Sequence, residues 1–146
     1  MDIQDTLNIR VSYSETDGQG RVHHAQYLNY FERGRVELMR AQGMSYREFE
    51  AGGLMLVVVE MNIKYMAAAV FDDLLTLSTR VLRSRGVRIY HDYQLTRPGG
   101  ITAGMNSVTS DAAAESPSEV IVTASSTIAC IDRQGKVRPL PAYLRS

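Results

Sequence analysis

The stretch Tyr13-Ser14-Glu15-Thr16-Asp17-Gly18-Gln19-Gly20-Arg21-Val22-His23-His24-Ala25-Gln26-Tyr27-Leu28-Asn29-Tyr30-Phe31-Glu32-Arg33 changes character in its middle. Within it, Glu15 to Gly20 holds two glycines and an Asp in six residues, a tight loop. From about Ala25 to Gln42 no proline interrupts, and Tyr27, Phe31, Gly34 and Leu38 recur at helical spacing. Eighteen residues make a helix of about 27 Å. Gly34 on the apolar face costs about 1 kcal/mol against Ala, which close approach to a sheet would offset.

Upstream, Leu7–Tyr13 alternates Leu7, Ile9, Val11 and Tyr13 with polar residues and predicts a half-buried strand. Downstream, Gly43 closes the helix, and Ser45 with Glu48 forms a capping box for a short helix that Gly52-Gly53 ends. Beyond Gly53 the period falls to two. Leu54–Ala67 reads as a strand with Val57, Val59, Met61, Ile63 and Tyr65 on one face, and Leu74–Leu82, Val87–Leu95 and Val120–Ile131 follow. Asp132 to Gly135 is a turn, and Pro139 and Pro141 exclude further regular pairing.

Short connections favour antiparallel neighbours. The economical solution is α+β: a single antiparallel sheet of five or more strands with one face against one long helix. The chain, 1–146, reads as a single domain with a mobile insertion at 101–119, after the Pro98-Gly99-Gly100 turn.

The 146 residues are 45% hydrophobic and 22% charged, an ordinary globular composition. Sixteen basic residues balance sixteen acidic ones, so no strong field recruits nucleic acid. The lone Cys130 excludes an internal disulfide or a multi-thiolate zinc site, and reads as a small buried hydrophobe. The longest apolar run, Leu54–Val59, has six residues, far short of a membrane span. Met1-Asp2-Ile3-Gln4-Asp5 lacks the features of an export signal, so the expected address is cytoplasmic.

The run from Tyr13 to Arg33 closely resembles the signature of hotdog-fold acyl-CoA thioesterases, the group of the 4-hydroxybenzoyl-CoA and Tol-Pal-associated enzymes. That signature is an Asp, two residues, a Gly, an aromatic or His pair, and a Tyr opening the central helix. Val58–Ala69, Asp72-Asp73 and Arg83-Ser84-Arg85 also fit, so the resemblance covers nearly all of the chain except Ile101–Glu119. Arg21 stands where relatives mostly carry an apolar residue.

The resemblance implies a hotdog fold, the sheet wrapping a long central helix, and hydrolysis of an acyl-CoA thioester to a carboxylic acid and free coenzyme A. It implies a homodimer or homotetramer with the active site at the dimer interface, Asp17 facing the partner around Met55–Met61. Asp17 is then the catalytic carboxylate, as nucleophile or as base toward water; its bland reading is an Asx turn with Gly18. The N–H of His24 would polarise the carbonyl from the helix N-terminus, and Gly20 would admit the substrate close to the backbone. The His24 ring either orients Asp17 or a water or simply bonds a carbonyl, while His23 is structural or solvent-facing. Tyr27, Val58 and Val59 are expected substrate contacts. Arg83, Ser84, Arg85 and Arg138, with Arg88 and Lys136, are candidates for the coenzyme A phosphates.

Three further readings stay beside these. Glu32 is either a helix-borne catalytic acid or an i,i+3 partner of Arg35. His91, alternating with Ile89 and Tyr93, is expected to be a satisfied core or interface histidine. Adjacent His23 and His24 with His91 make no ligand triad, so no metal or other cofactor is expected, coenzyme A being part of the substrate. No Gly-x-Ser-x-Gly elbow supports a serine hydrolase. Rival functions are an acyl-carrier-protein thioesterase, a dehydratase built on His24 and Glu32, and a non-catalytic acyl-CoA-binding protein.

Overall fold

Each element follows from a local pattern in the chain, seen in a computed structural model that describes residues 3–99 and 118–145. Strand β1 is Ile3–Arg10, helix α1 Gln26–Ala41, helix α2 Tyr46–Ala51, and strands β2 to β5 are Leu54–Tyr65, Leu74–Arg85, Arg88–Arg97 and Glu119–Asp132. Single 3₁₀ turns cover Tyr13–Glu15 and Ala142–Leu144. The five strands form one sheet in the order β1-β3-β4-β5-β2, every pair antiparallel. The fold is α+β, as expected, with β1 and β2 at the two edges.

α1 lays Tyr27, Tyr30, Phe31, Gly34 and Leu38 on the sheet. Phe31 stacks on Tyr93 of β4 with ring centroids 4.6 Å apart. Gly34 is the point of closest approach: a Cβ there would lie 2.4 Å from Thr79 Oγ1 and 2.8 Å from Leu77 Cδ2. Around this contact Ile9, Leu75, Leu77, Leu95, Ile121 and Val122 are fully buried. A second cluster of Phe49, Ile89, Ile128, Cys130 and Leu140 lies toward α2. Cys130 is fully buried there, and burial pushes its thiol up.

The structure corrects several boundaries. β1 begins at Ile3 rather than Leu7; Asp5, an acidic residue at an inward-alternating position, hides the earlier half from an apolar pattern search. Tyr13 lies outside the strand, because Ser12 N–H donates to Glu15 Oε1 at 2.8 Å and turns the chain into the 3₁₀ segment. β3 runs on to Arg85 rather than ending at Leu82, so Arg83-Ser84-Arg85 lies within it. Ser45 Oγ accepts from Glu48 N–H at 3.3 Å, one arm of the expected capping box, and no reciprocal bond forms among the described residues.

β2 carries the largest correction. Its register against β5 shifts between Val58 and Glu60, a bulge that reverses the alternation. Leu54 and Leu56 therefore face the second cluster while Met61 and Ile63 face the first. Val57 and Val59, expected on the face of Met61, are exposed. The expected insertion at 101–119 lies outside the described residues except at its end, where Glu119 opens β5.

His91 is buried as expected, at 5% exposure, but it is not satisfied: its Nδ1 has no hydrogen-bond partner. Burial, and then the Arg35 charge, push its pKa down to about 3 from the ordinary 6.5. The unfolded chain thus binds a proton at this residue that the folded one refuses, and stability falls as pH drops from 6.5 toward 3. The slope from this group is at most about 1.4 kcal/mol per pH unit. Urea unfolding at about pH 7 and about pH 5 is expected to show that loss in the wild type and a flatter profile in His91→Leu.

Candidate active site

The loop between β1 and α1 is held at both ends by backbone. Thr16 and Val22 form a bridge, Asp17 N–H donates to Arg21 O at 2.7 Å, and Gly20 N–H donates to Asp17 O at 3.0 Å. Arg21 bridges Val70, and Val22 N–H donates to Ala69 O at 2.9 Å, tying the loop to the β2–β3 connection. Arg97 fixes that connection in turn, donating to Asp73 Oδ2 at 2.7 Å and Ala68 O at 3.2 Å and pairing with Glu119. Gly20 adopts φ +80°, and a Cβ there would meet open space. The glycine is therefore required by its backbone conformation.

Asp17 makes an Asx turn with one oxygen only. Its Oδ1 accepts Gln19 N–H at 2.8 Å and Arg21 N–H at 3.3 Å, while Oδ2 has no protein partner among the described residues. The Gln19 N–H first, then the Arg21 N–H and the Arg21 charge, hold this carboxyl below its ordinary 3.8. The expected Asx turn thus uses one carboxylate oxygen and leaves the other outside it.

The N-terminus of α1 lies next in sequence. Its N-cap is Ala25, with no side chain to cap it, and His23 takes that role: its Nδ1 accepts Ala25 N–H at 3.1 Å. That bond places the lone pair on Nδ1. The His24 ring is exposed and stacked on His23 with centroids 4.3 Å apart, and it makes no hydrogen bond to Asp17. The His24 backbone N–H has no acceptor among the described residues, while its carbonyl accepts Tyr65 Oη at 3.2 Å.

A cleft of about 280 Å³ lies here, lined by Arg21, Val22, His24, Tyr27, Tyr65 and Met66 to Ala68. Tyr27 forms its inner wall, with burial pushing its phenol up and its ring edge-on to Tyr65 at 5.6 Å. Tyr30 Oη donates to Glu15 Oε1 at 2.8 Å behind it.

Of the residues expected from sequence, Asp17, Gly20, His24 and Tyr27 meet at this end of the molecule. Arg83, Ser84, Arg85 and Arg138 do not. Arg85 lies about 36 Å along β3 from Leu74, the strand end nearest the Asp17 loop. There the Arg83 guanidinium lies over the Tyr90 ring at 4.5 Å, and Arg138 Nε donates to Asp132 Oδ2 at 2.8 Å. The Ser84 hydroxyl is buried and donates to Leu144 O. Val58 and Val59 lie midway, exposed at the β2 edge. Glu32 and Arg35 form no ion pair; Arg35 instead donates to Tyr93 Oη at 2.9 Å.

Tyr65, Glu15 and Arg97 escaped the sequence reading, since nothing local marks a residue whose partner is distant in sequence. The signal for His23 was available: a helix start with no Ser, Thr, Asp or Asn at its N-cap needs another acceptor.

No group of three or more metal-ligating side chains gathers among the described residues, and no described helix is long and apolar enough to cross a membrane.

Residues 19–103 match the Thioesterase superfamily. An acyl-CoA thioesterase, YbgC of Haemophilus influenzae, is 39% identical over 90 residues, covering 61% of this chain and 66% of that protein. The chain thus spans just under two thirds of that relative's length. The solved structure of a probable thioesterase from Bartonella henselae is 32% identical, with a TM-score of 0.77 over 94% of this chain and 99% of that one. A 4-hydroxybenzoyl-CoA thioesterase structure shares the fold with a TM-score of 0.80 at 16% identity, over 97% of this chain and 96% of that one.

Proposed function

The chain belongs to the Thioesterase superfamily, and from that premise we propose that it hydrolyses acyl-CoA thioesters to a carboxylic acid and free coenzyme A. The observation that carries this is the presence of two unspent groups in the one segment that leads into α1: Asp17 Oδ2 without a protein partner and the His24 N–H without an acceptor among the described residues. A thioester needs an oxygen attacking its carbonyl carbon and a donor for the charge that develops on its carbonyl oxygen.

Asp17 serves either as base or as nucleophile. As base, it takes a proton from water while the water oxygen bonds to the carbonyl carbon and the carbonyl electrons move onto oxygen, against the His24 N–H. The C–S bond then breaks, the sulfur leaves as thiolate and collects a proton, and a carboxylic acid remains. As nucleophile, Asp17 Oδ2 forms an acyl anhydride with loss of the thiolate, and water then cleaves it. The hydrogen bonds on Oδ1 keep the side chain aimed in both routes, and the depressed pKa keeps it ionised at neutral pH. The chemistry as written needs these residues, the thioester and one water.

Two copies complete the site. β2 is a twelve-residue edge with exposed Val57, Val58 and Val59, a template for another strand. Pairing two β2 edges antiparallel about Val58 and Val59 would bring the Tyr65 end of one copy beside the Leu54 and Asp132 end of the other. That arrangement would supply the cleft lined by His24, Tyr27 and Tyr65 with cations from the far end, Arg138 before Arg83 and Arg85, which one copy alone holds too far away. Lys136 and Arg88 belong to the same end. These are the groups for the coenzyme A phosphates.

Free-thiol release from short, long, aromatic and branched acyl-CoAs tests the reading. Turnover of at least one member is expected. Turnover confined to acyl-carrier-protein thioesters would reassign the substrate, and binding without turnover of either would leave a non-catalytic acyl-CoA-binding protein.

A further inference from the structure

The peptide that carries the His24 N–H is held in place by the residue before it. The N–H of His23 donates to Glu15 O at 2.9 Å, its carbonyl accepts Gln26 N–H at 2.8 Å, and its Nδ1 accepts Ala25 N–H at 3.1 Å. Of the four consecutive N–H groups of residues 23–26, three are therefore spent inside the segment. His24 keeps its own without an acceptor among the described residues.

Local rules explain the arrangement. The bond from Gln26 to His23 closes a four-residue turn with His24 and Ala25 at its centre. A trans peptide points its C=O and its N–H in opposite directions, so a bond that fixes His23 O also fixes the line of the His24 N–H. Ala25 already has helical backbone angles, φ −74° and ψ −21°, and its methyl group accepts nothing. The turn therefore borrows its side-chain acceptor from His23, which reaches the N–H two residues on, the pattern Asn and Asp use in turns.

Without Nδ1, Ala25 N–H becomes a second free donor beside the first, and the turn rests on one bond. An oxyanion donor is effective because it is aimed before the charge develops. A peptide free to rock, with a rival donor next to it, forfeits part of that advantage. The constraint also runs back toward the Asp17 loop. Glu15, which takes the His23 N–H on its carbonyl, accepts Ser12 N–H and the Oη of fully buried Tyr30 on Oε1, both at 2.8 Å. His23 is thus the joint between that loop and α1.

We propose that His23 is a positioning residue: its Nδ1 holds Ala25 N–H so that the His24 N–H is the donor this turn presents to the thioester carbonyl. The inference rests on the thioesterase reading for the role of the His24 N–H.

Two substitutions separate the acceptor from the ring. His23→Phe keeps a ring to stack on His24 and removes the acceptor, whereas His23→Asn removes the ring and keeps an acceptor within reach of Ala25 N–H. The position is exposed, so neither disturbs the core, and melting curves check this. Thiol release is measured across the acyl-CoA panel. Amide NMR of His24 is recorded on adding ketone analogues of benzoyl-CoA and decanoyl-CoA with a methylene in place of sulfur.

His23→Phe is expected to lower kcat by about 10- to 100-fold with KM within about threefold, and His23→Asn to recover kcat to within about threefold of the wild type. The His24 amide proton is expected to move downfield on binding in the wild type and in His23→Asn, and less in His23→Phe. Turnover that both variants keep, that both lose, or that only His23→Asn loses overturns the role of Nδ1 and leaves the hydrolytic reading standing. An amide shift that depends on the acceptor at position 23, without turnover of any thioester, keeps the positioning role and removes the hydrolysis. Neither turnover nor an amide shift removes both.

Discussion

Asp17→Asn lowers kcat toward acyl-CoA thioesters by about 10²–10⁴-fold and leaves the thermal midpoint nearly unchanged. The reason lies in the division of labour between the two carboxylate oxygens. An Asn Oδ1 still accepts Gln19 N–H and Arg21 N–H, so the loop that bridges Thr16 to Val22 keeps its shape. The amide nitrogen replaces Oδ2, the oxygen the fold does not use, and it can neither accept a proton from water nor attack a carbonyl. Substrate affinity is expected to hold, because the cleft walls of Tyr27, Tyr65 and the His24 backbone are untouched. A large loss in kcat with little change in KM marks an interaction made in the transition state. Thiol-release kinetics beside a melting curve measure both halves of the expectation. Activity that survives the substitution would move the chemistry to Glu32 or the His24 ring.

The second large effect concerns the fold. Gly34→Ala is expected to destabilise the protein by about 2–3 kcal/mol, and Gly34→Val by more, even though alanine is the better helix former. The added Cβ would lie 2.4 Å from Thr79 Oγ1 and 2.8 Å from Leu77 Cδ2, on a fully buried stretch of β3. Leu77 has a rotamer to give. Thr79 is β-branched and stiff at χ1, so α1 must lift from the sheet instead. Urea unfolding checks this, and Gly34→Ala combined with Thr79→Ala should recover part of the loss, since Thr79 Oγ1 makes no hydrogen bond to forfeit. Additive losses in the double variant would show that the contact is not where the cost arises.

That glycine was legible from sequence because a helix-breaking residue on an apolar face needs a reason, and a sheet at close range is the physical one. The same holds for α1, whose one-sided apolar spacing placed it to within a residue at each end. Alternation failed where polar chemistry interrupts it. Asp5 concealed the first half of β1, and the bulge between Val58 and Glu60 put Val57 on the opposite face from Met61, because a single inserted residue inverts every later side chain. Strand order was illegible for another reason: β2 pairs with β5, and Tyr65↔Val122 joins residues far apart in sequence with no local mark.

The candidate site divides the same way. Asp17, Gly20, His24 and Tyr27 share one loop and one helix start, so their neighbourhood was written in consecutive sequence. Arg83, Ser84, Arg85 and Arg138 share a region of the fold with one another but not with Asp17, and Ser84 serves the C-terminal segment. His91 was rightly placed in the core, but its vacant Nδ1 depends on α1, β4 and β5 meeting around a cavity.

The proposed mechanism depends on where the thioester carbonyl sits. A crystal structure of the Asp17→Asn protein with an intact acyl-CoA measures it directly. The carbonyl oxygen is expected within hydrogen-bonding distance of the His24 N–H, with the carbonyl carbon beside the side chain at position 17. A carbonyl bound instead beside Glu32, or anywhere the His24 N–H cannot reach, would contradict it.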